Sequence, residues 1–279
     1  MRTVIVGGGL SGMTLGFLLR KLGKEVIVIE ASAAVDESRA MVLTDRAIKS
    51  ISLVFGEKIW EKVRKTEFSQ ATVWYEPDRY EVVPAKVSLA ERGELVQYFR
   101  DAYVEEGGDL LFSKAIGVDE KEKLVRLSDL REVRYEYLVV ADGADSLMRE
   151  VLELDEKRVP LMRVRQDYIN DEDGNSVVKD ISEMVPSGKD VKLFHSYNIA
   201  YIGEAAGFAD PISGEVASYA LKTAEEMAVS IHNNGFDGAT TNDFYGLYAY
   251  HLVKEVKKRR TRKIFKMRSM LRKELFANA

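Results

Sequence analysis

The first thirty residues constrain the fold more than any other part of the chain. Thr3–Val6 is a short apolar run that reads as a strand. It leads directly into Gly7-Gly8-Gly9-Leu10-Ser11-Gly12, which has G-x-G-x-x-G spacing. Leu10, Thr14, Phe17, Leu18 and Leu22 then recur at helical intervals, and Gly23 is placed to end the helix. Val26–Ile29 reads as a second strand, with Glu30 at its C-terminal end. Strand, glycine turn, helix, strand and acid together form the pattern of a dinucleotide-binding β-α-β unit.

Each residue type in that unit has a physical reason. Gly7 permits the tight turn off the strand. Gly9 lacks a Cβ, so a pyrophosphate can approach the backbone amides. Gly12 lets the helix lie close to the strands. The helix N-terminus, at Leu10 and Ser11, presents unpaired N–H groups and the positive end of the dipole to phosphate. Glu30, followed by Ala31 at the same strand end, can accept hydrogen bonds from ribose hydroxyls, and its charge disfavours a 2′-phosphate.

The same stretch bears on targeting. Arg2 followed by the uncharged Thr3–Leu19 has the outline of a signal peptide, but the glycine cluster would break its apolar helix and no small-residue cleavage site follows. No other segment approaches the roughly 20 apolar residues of a membrane span. The expectation is a cytoplasmic protein. There are no cysteines, which removes disulfides, thiol catalysis, iron–sulfur clusters and zinc–thiolate sites. His195, His232 and His251 lie far apart without metal-ligand spacing, so no metal site is expected.

Two further motifs follow strands. Tyr137–Arg149 reads YLVVADGADSLMR, an apolar strand over Leu138–Ala141 that ends in Asp142-Gly143, with a helix near Ser146–Leu152. Ala200–Ala224 reads AYIGEAAGFADPISGEVASYALKTA, a strand over Ile199–Ile202 that ends in Gly203-Glu204. A loop through Pro211, Ile212, Ser213 and Gly214 leads to a helix beginning near Glu215, with Val216, Ala220, Ala224, Met227, Ala228 and Ile231 on one apolar face.

In order along the chain, these three motifs resemble the FAD-dependent fold of p-hydroxybenzoate hydroxylase. The P-x-x-G-E-x-x-x-Y-A-L-K run of the third is most similar to the geranylgeranyl reductase family, enzymes that reduce isoprenoid double bonds. The resemblance covers residues 1–50, about 88–152 and 196–275. It implies a Rossmann-like α/β FAD-binding domain, a β-sheet substrate domain and C-terminal helices. Gly203, Glu204 and the Pro211–Glu215 segment would hold the flavin half of FAD, with amides around Ile212, Ser213 and Gly214 facing the flavin pyrimidine edge. The family more often has Asp where Glu204 stands. Asp142 and Gly143 would sit near the pyrophosphate and ribityl chain, although Asp142 also suits an N-cap. The helix read over Leu89–Tyr103 carries Arg92 at its start, which by resemblance reaches the FAD phosphates. Arg39, after the second strand, would lie near the flavin. The electron donor would be NAD(P)H or ferredoxin, and the substrate an apolar small molecule or lipid. A monooxygenase and a non-catalytic flavoprotein module are the alternatives.

The substrate domain is short. About 60 residues separate Asp142-Gly143 from Gly203-Glu204, where the larger family members have well over twice as many. The expected organisation assigns 1–69, 88–157 and 196–240 to the FAD-binding domain. Residues 70–87 and 158–195 form the reduced β region, and 241–279 a basic helical end. Within the β region, strands are expected at Arg158–Tyr168, Ser176–Met184 and Val191–Phe194, with a turn at Asp171–Gly174. A hairpin over Ala71–Val87 is expected to turn around Glu76–Arg79. No catalytic side chain can be assigned, and a lone His195 reads as structural.

The formal charge of −4 conceals an asymmetry. Residues 254–273 hold eleven basic side chains and one acid, Glu255, for a local +10, so the remaining 259 residues carry −14. A helix is expected over Asp243–Val256 and onward, with Ile264, Met267, Leu271 and Leu275 as one apolar stripe. Residues 254–275 are expected to pack on the body or to touch an anionic membrane. Nucleic acid is not expected, since no aromatic interleaving accompanies the charge.

Overall fold

The computed structural model describes residues 2–35, 40–63, 65–76, 79–152, 161–169, 177–186, 188, 190–211, 213–234 and 237–277. The β-α-β unit is β1 (Thr3–Val6), α1 (Leu10–Lys21) and β2 (Val26–Glu30). α1 ends where Gly23 adopts φ +69°, a left-handed conformation that glycine takes without strain. β3 (Ala40–Thr44) follows, then α2 (Asp45–Phe55), which is N-capped by the Thr44 hydroxyl accepting from the Ala47 amide at 3.3 Å. A short α3 (Ile59–Lys62) leads to the long hairpin β4 (Lys65–Glu76) and β5 (Arg79–Glu91).

The hairpin is paired as far as Glu76 and Arg79 and is longer than Ala71–Val87; residues 77 and 78 of the expected turn lie outside the described residues. β5 pairs antiparallel with β3 through Glu91, opposite Ala40, to give a three-stranded sheet in the order β3-β5-β4. This corrects the helix read over Leu89–Tyr103. Along β5, Ser88 and Ala90 are buried while Val87 and Leu89 are only partly so, which is strand alternation. The helix, α4 (Arg92–Glu105), begins at Arg92.

β6 (Asp109–Phe112) comes next, then three short strands, β7 (Ala115–Asp119), β8 (Leu124–Leu127) and β9 (Glu132–Arg134), which form their own antiparallel sheet. β10 (Tyr137–Val140) and α5 (Leu147–Leu152) carry the second motif. β11 (Leu161–Ile169) and β12 (Val177–Pro186) pair as an antiparallel hairpin; the expected Asp171–Gly174 turn lies outside the described residues. The strand expected at Val191–Phe194 is instead β13 (Phe194–Ser196), because its antiparallel register with β14 (Ile199–Tyr201) starts at Phe194 opposite Ala200. After a single 3-10 turn at Gly203–Ala206 come α6 (Ala217–Asn234) and one 40-residue helix, α7 (Gly238–Ala277). The backbone of α7 runs through Ile264–Leu275, whose side chains lie outside those described.

The central sheet has the order β13-β14-β10-β1-β2-β6, parallel from β14 to β6 with β13 antiparallel at the edge. Its inner strands β14, β10, β1 and β2 are apolar on both faces, as a covered parallel sheet requires. Ile5, Val28, Tyr137 and Val139 pack with Met13 and Leu15 of α1, Phe99 of α4 and Met227 of α6. Val4, Val6, Leu138 and Val140 pack oppositely, against Val125 and Leu127 of β8 and Met148 of α5. The three layers leave the C-terminal ends of β1, β2, β10 and β14 side by side, where ligands bind in open α/β sheets.

Candidate functional site

A cavity of about 460 Å³ opens at those strand ends. It brings together Gly7, Gly9, Leu10, Ser11, Glu30, Ala31, Asp142, Gly143 and Glu204 from three separate motifs, with Arg92 from the start of α4. Val216, Ala217 and Ala220 at the start of α6 complete the wall on the side of the third motif. A smaller annex of about 210 Å³ lies beyond Gly8, Gly9 and Glu30, with Arg92 and Arg100 on its α4 wall.

Steric details explain the glycines. Gly7 has φ +111°, and a Cβ there would lie 2.3 Å from the Ala141 carbonyl oxygen, so it joins β1 closely to the end of β10. A Cβ on Gly12 would meet the Gly7 carbonyl oxygen at 1.8 Å, so Gly12 serves packing and is not part of the cavity lining. A Cβ on Gly9 would meet nothing within 4 Å. α1 has no side-chain N-cap and no acid in its first turn, so its amides face the cavity uncontested by side chains.

The carboxylates behave differently. Glu30 Oε2 accepts from the Gly8 amide at 2.6 Å and Oε1 from the Ser32 amide at 3.1 Å. Asp142 lines the cavity, but its carboxylate accepts from the Ser146 hydroxyl and from the Met148 amide at 3.0 Å, which caps α5. Burial pushes the Asp142 carboxyl above its usual range, and those hydrogen bonds oppose the shift. Arg149, the last residue of this motif, donates to the Ala205 carbonyl at 3.0 Å and so ties the second motif to the third.

Other expected residues stand elsewhere. Gly203 lies outside the lining, where a Cβ would come within 2.7 Å of the Ser11 hydroxyl; its role is close approach between β14 and α1. Pro211, Ser213, Gly214 and Glu215 also fall outside the lining. Their loop is folded on itself: the Asp210 amide donates to the Glu215 carbonyl and the Gly214 amide to the Asp210 carbonyl, each at 2.8 Å. α6 begins at Ala217, two residues later than expected, and Glu215 accepts from the Ser218 amide at 2.6 Å. Arg39 and Ile212 lie outside the described residues. His195 is in neither cavity and pairs with Glu120 at 3.2 Å.

The sequence reading missed several lining residues: Met41 from β3, Ser113, Lys114 and Ala115 after β6, Asp145 before α5 and Glu150 within it. β6 lies next to β2 in a parallel sheet, so its C-terminal end could have been marked as a site position. Arg100 had no such signal, because its helix spacing gives no hint of a partner on β2. Among the described residues, no group of His, Asp or Glu could hold a metal ion.

The fold and this cavity define a dinucleotide-binding flavoprotein. The turn fits the cofactor, since Gly9 opens onto free space beside uncapped helix amides. The chain belongs to the FAD binding domain family, whose profile matches residues 1–185, and its cofactor is FAD. No curated protein sequence matches the chain. Among solved structures, it is similar to a geranylgeranyl bacteriochlorophyll reductase-like protein of Thermoplasma acidophilum, with 14% identity, TM-score 0.71, and coverage of 94% of this chain and 85% of that one. It is also similar to PqsL, a probable FAD-dependent monooxygenase of Pseudomonas aeruginosa, with 17% identity, TM-score 0.68, and 94% of both chains covered. HpxO of Klebsiella pneumoniae, complexed with FAD, gives 13% identity and TM-score 0.71 over 99% of this chain and 94% of that one. These likenesses establish the p-hydroxybenzoate hydroxylase-type fold.

Proposed function

We propose that the protein is an FAD-dependent oxidoreductase that reduces a C=C bond of an apolar, isoprenoid-like substrate, with electrons from NAD(P)H or ferredoxin. The carrying observation is the convergence of three motifs on one cavity, from the Gly9 turn through Asp142-Gly143 to Glu204 and the start of α6. The P-x-x-G-E-x-x-x-Y-A-L-K run that leads into α6 favours the reductase reading within this fold. FAD, when bound, supplies the hydride chemistry. The chain supplies the holding groups: α1 amides and Arg92 for phosphate, Glu30 for ribose, and Glu204 for the ribityl chain. No histidine lines the cavity, which suits chemistry left to a cofactor. The likeness to PqsL and HpxO supports a second reading, a monooxygenase, and the short segment between Gly143 and Gly203 a third, a non-catalytic module. We assign residues 254–275 to peripheral contact with an anionic lipid surface.

Anaerobic reduction followed by separate exposure to prenyl substrates and to oxygen discriminates among these. Saturated prenyl product without substrate-dependent oxygen uptake is expected. Rapid substrate-dependent oxygen consumption would make the protein a monooxygenase, and bound FAD inert to both would make it a module.

A further inference from the structure

Arg100 sits two turns along α4 from Arg92 and is only 5% exposed. Its Nη1 donates to the Ala33 carbonyl at 3.0 Å, and its Nη2 lies 3.8 Å from Glu30 Oε1. Its guanidinium carbon stands 5.7 Å from the centre of the Phe112 ring. Its Nε is buried with no hydrogen-bond partner. A buried guanidinium with an unmatched N–H carries a desolvation cost, which the contacts to Ala33, Glu30 and Phe112 must offset. What the position does accomplish is visible at Glu30. That carboxylate is held from three elements: Gly8 in the turn, Ser32 after β2, and Arg100 on α4. A carboxylate has about four acceptor sites, and two are taken by these amides. Arg100, at 3.8 Å an ion pair rather than a hydrogen bond, leaves the remaining acceptor sites open and biases the carboxylate's orientation at the junction of the main cavity and the annex, both of which Glu30 lines.

We propose that Arg100 is a positioning residue for adenosine recognition, acting through Glu30 to align it with the ribose hydroxyls. This rests on the reading of the cavity as the site for the adenosine half of FAD. The test is calorimetric titration of ADP and of 2′,3′-dideoxy-ADP into protein freed of FAD. The wild type is expected to prefer ADP by about tenfold, the value of one charge-assisted hydrogen bond. Arg100→Met is expected to reduce that preference to within about twofold while leaving dideoxy-ADP affinity unchanged. Adding Glu30→Gln to it should cost nothing more, because residues that act through one contact are not additive. An Arg100→Met protein that keeps the full preference, or weakens both nucleotides equally, would overturn the proposal. If that variant does not fold, Arg100→Lys carries the test: it keeps the charge but not the fork that spans Ala33 and Glu30. A reduced preference then supports the proposal and an unchanged one overturns it. A wild type that binds neither nucleotide refutes the reading of the cavity itself, and the proposal with it.

Discussion

A single methyl group separates two kinds of glycine in the turn after β1. At Gly9 the backbone has φ −84°, open to any residue, and a Cβ meets nothing. At Gly12 a Cβ would overlap the Gly7 carbonyl, which is backbone and cannot swing aside. The substitutions should therefore fail in opposite ways. Gly9→Leu is expected to melt like the wild type but to bind FAD at least about a hundredfold more weakly, because its side chain fills the ligand's space. Gly12→Ala is expected to lose about 2 kcal/mol or more of folding stability. Denaturant unfolding paired with flavin absorbance after purification separates the two. A yellow, fully occupied Gly9→Leu protein would refute the phosphate site. This part of the site was legible in sequence because its logic is local: each glycine's reason lies within a few residues or one strand away. Arg100 was not legible, since its partners Ala33 and Glu30 are about 70 residues distant.

At the scale of elements, strands with unbroken apolar runs were read to their limits, and the mixed strands of the longer hairpins, β4–β5 and β11–β12, to within several residues, while the shortest mixed ones were not read. β1, β2, β10 and β14 stand within a residue or two of their expected limits because a parallel strand covered on both faces has no polar alternation to mislead. The β7–β9 sheet was not seen: its strands span three to five residues and interleave with Asp119, Glu120, Lys121 and Glu122. The start of α6 carries a consequence that only the structure shows. Glu215 is buried before the helix, and burial pushes its carboxyl up to about 7, with Asp210 adding to the shift while the Ser218 amide and Arg46 oppose it. Its folded value thus lies above the unfolded one of 4.5. The stabilising contribution is complete below about pH 4.5 and is lost as pH rises through 7, where the folded state must carry a buried charge. Glu215→Gln retains an acceptor for the Ser218 amide without that charge. It is expected to be more stable than the wild type at pH 8, by up to about 3 kcal/mol, and much closer to it at pH 5. Urea melts at the two pH values check this, and a mutant less stable at pH 8 would contradict it.

At the scale of the whole molecule, the charge asymmetry acquires a geometry. α7 is about 60 Å long at 1.5 Å per residue, and it is pinned to the body as far as Arg259. Arg46 of α2 meets Glu255 at 2.9 Å, Tyr219 of α6 donates to Glu255 at 3.3 Å, and Arg259 lies 2.7 Å from the buried Asp210. The same turns carry Lys257, Lys258 and Arg262 on the exposed side. The basic segment thus divides its cations: Arg259 is committed to the loop before α6, while its neighbours face solvent against a body of net −14. Among the described residues no helix is long and apolar enough to cross a membrane. Exposed lysines and arginines gain about 1 kcal/mol each near an anionic leaflet. Replacing Lys257, Lys258 and Arg262 by Gln is therefore expected to weaken binding to phosphatidylserine-containing vesicles by about a hundredfold while leaving the fold and FAD content unchanged, since none of the three touches the cavity. Wild-type binding should fall steeply with salt and vanish on neutral vesicles. Equal absence of binding to anionic and neutral vesicles would return α7 to a purely structural role, held by Arg259 and Glu255 together with the buried Tyr245, Ala249, Leu252 and Val256.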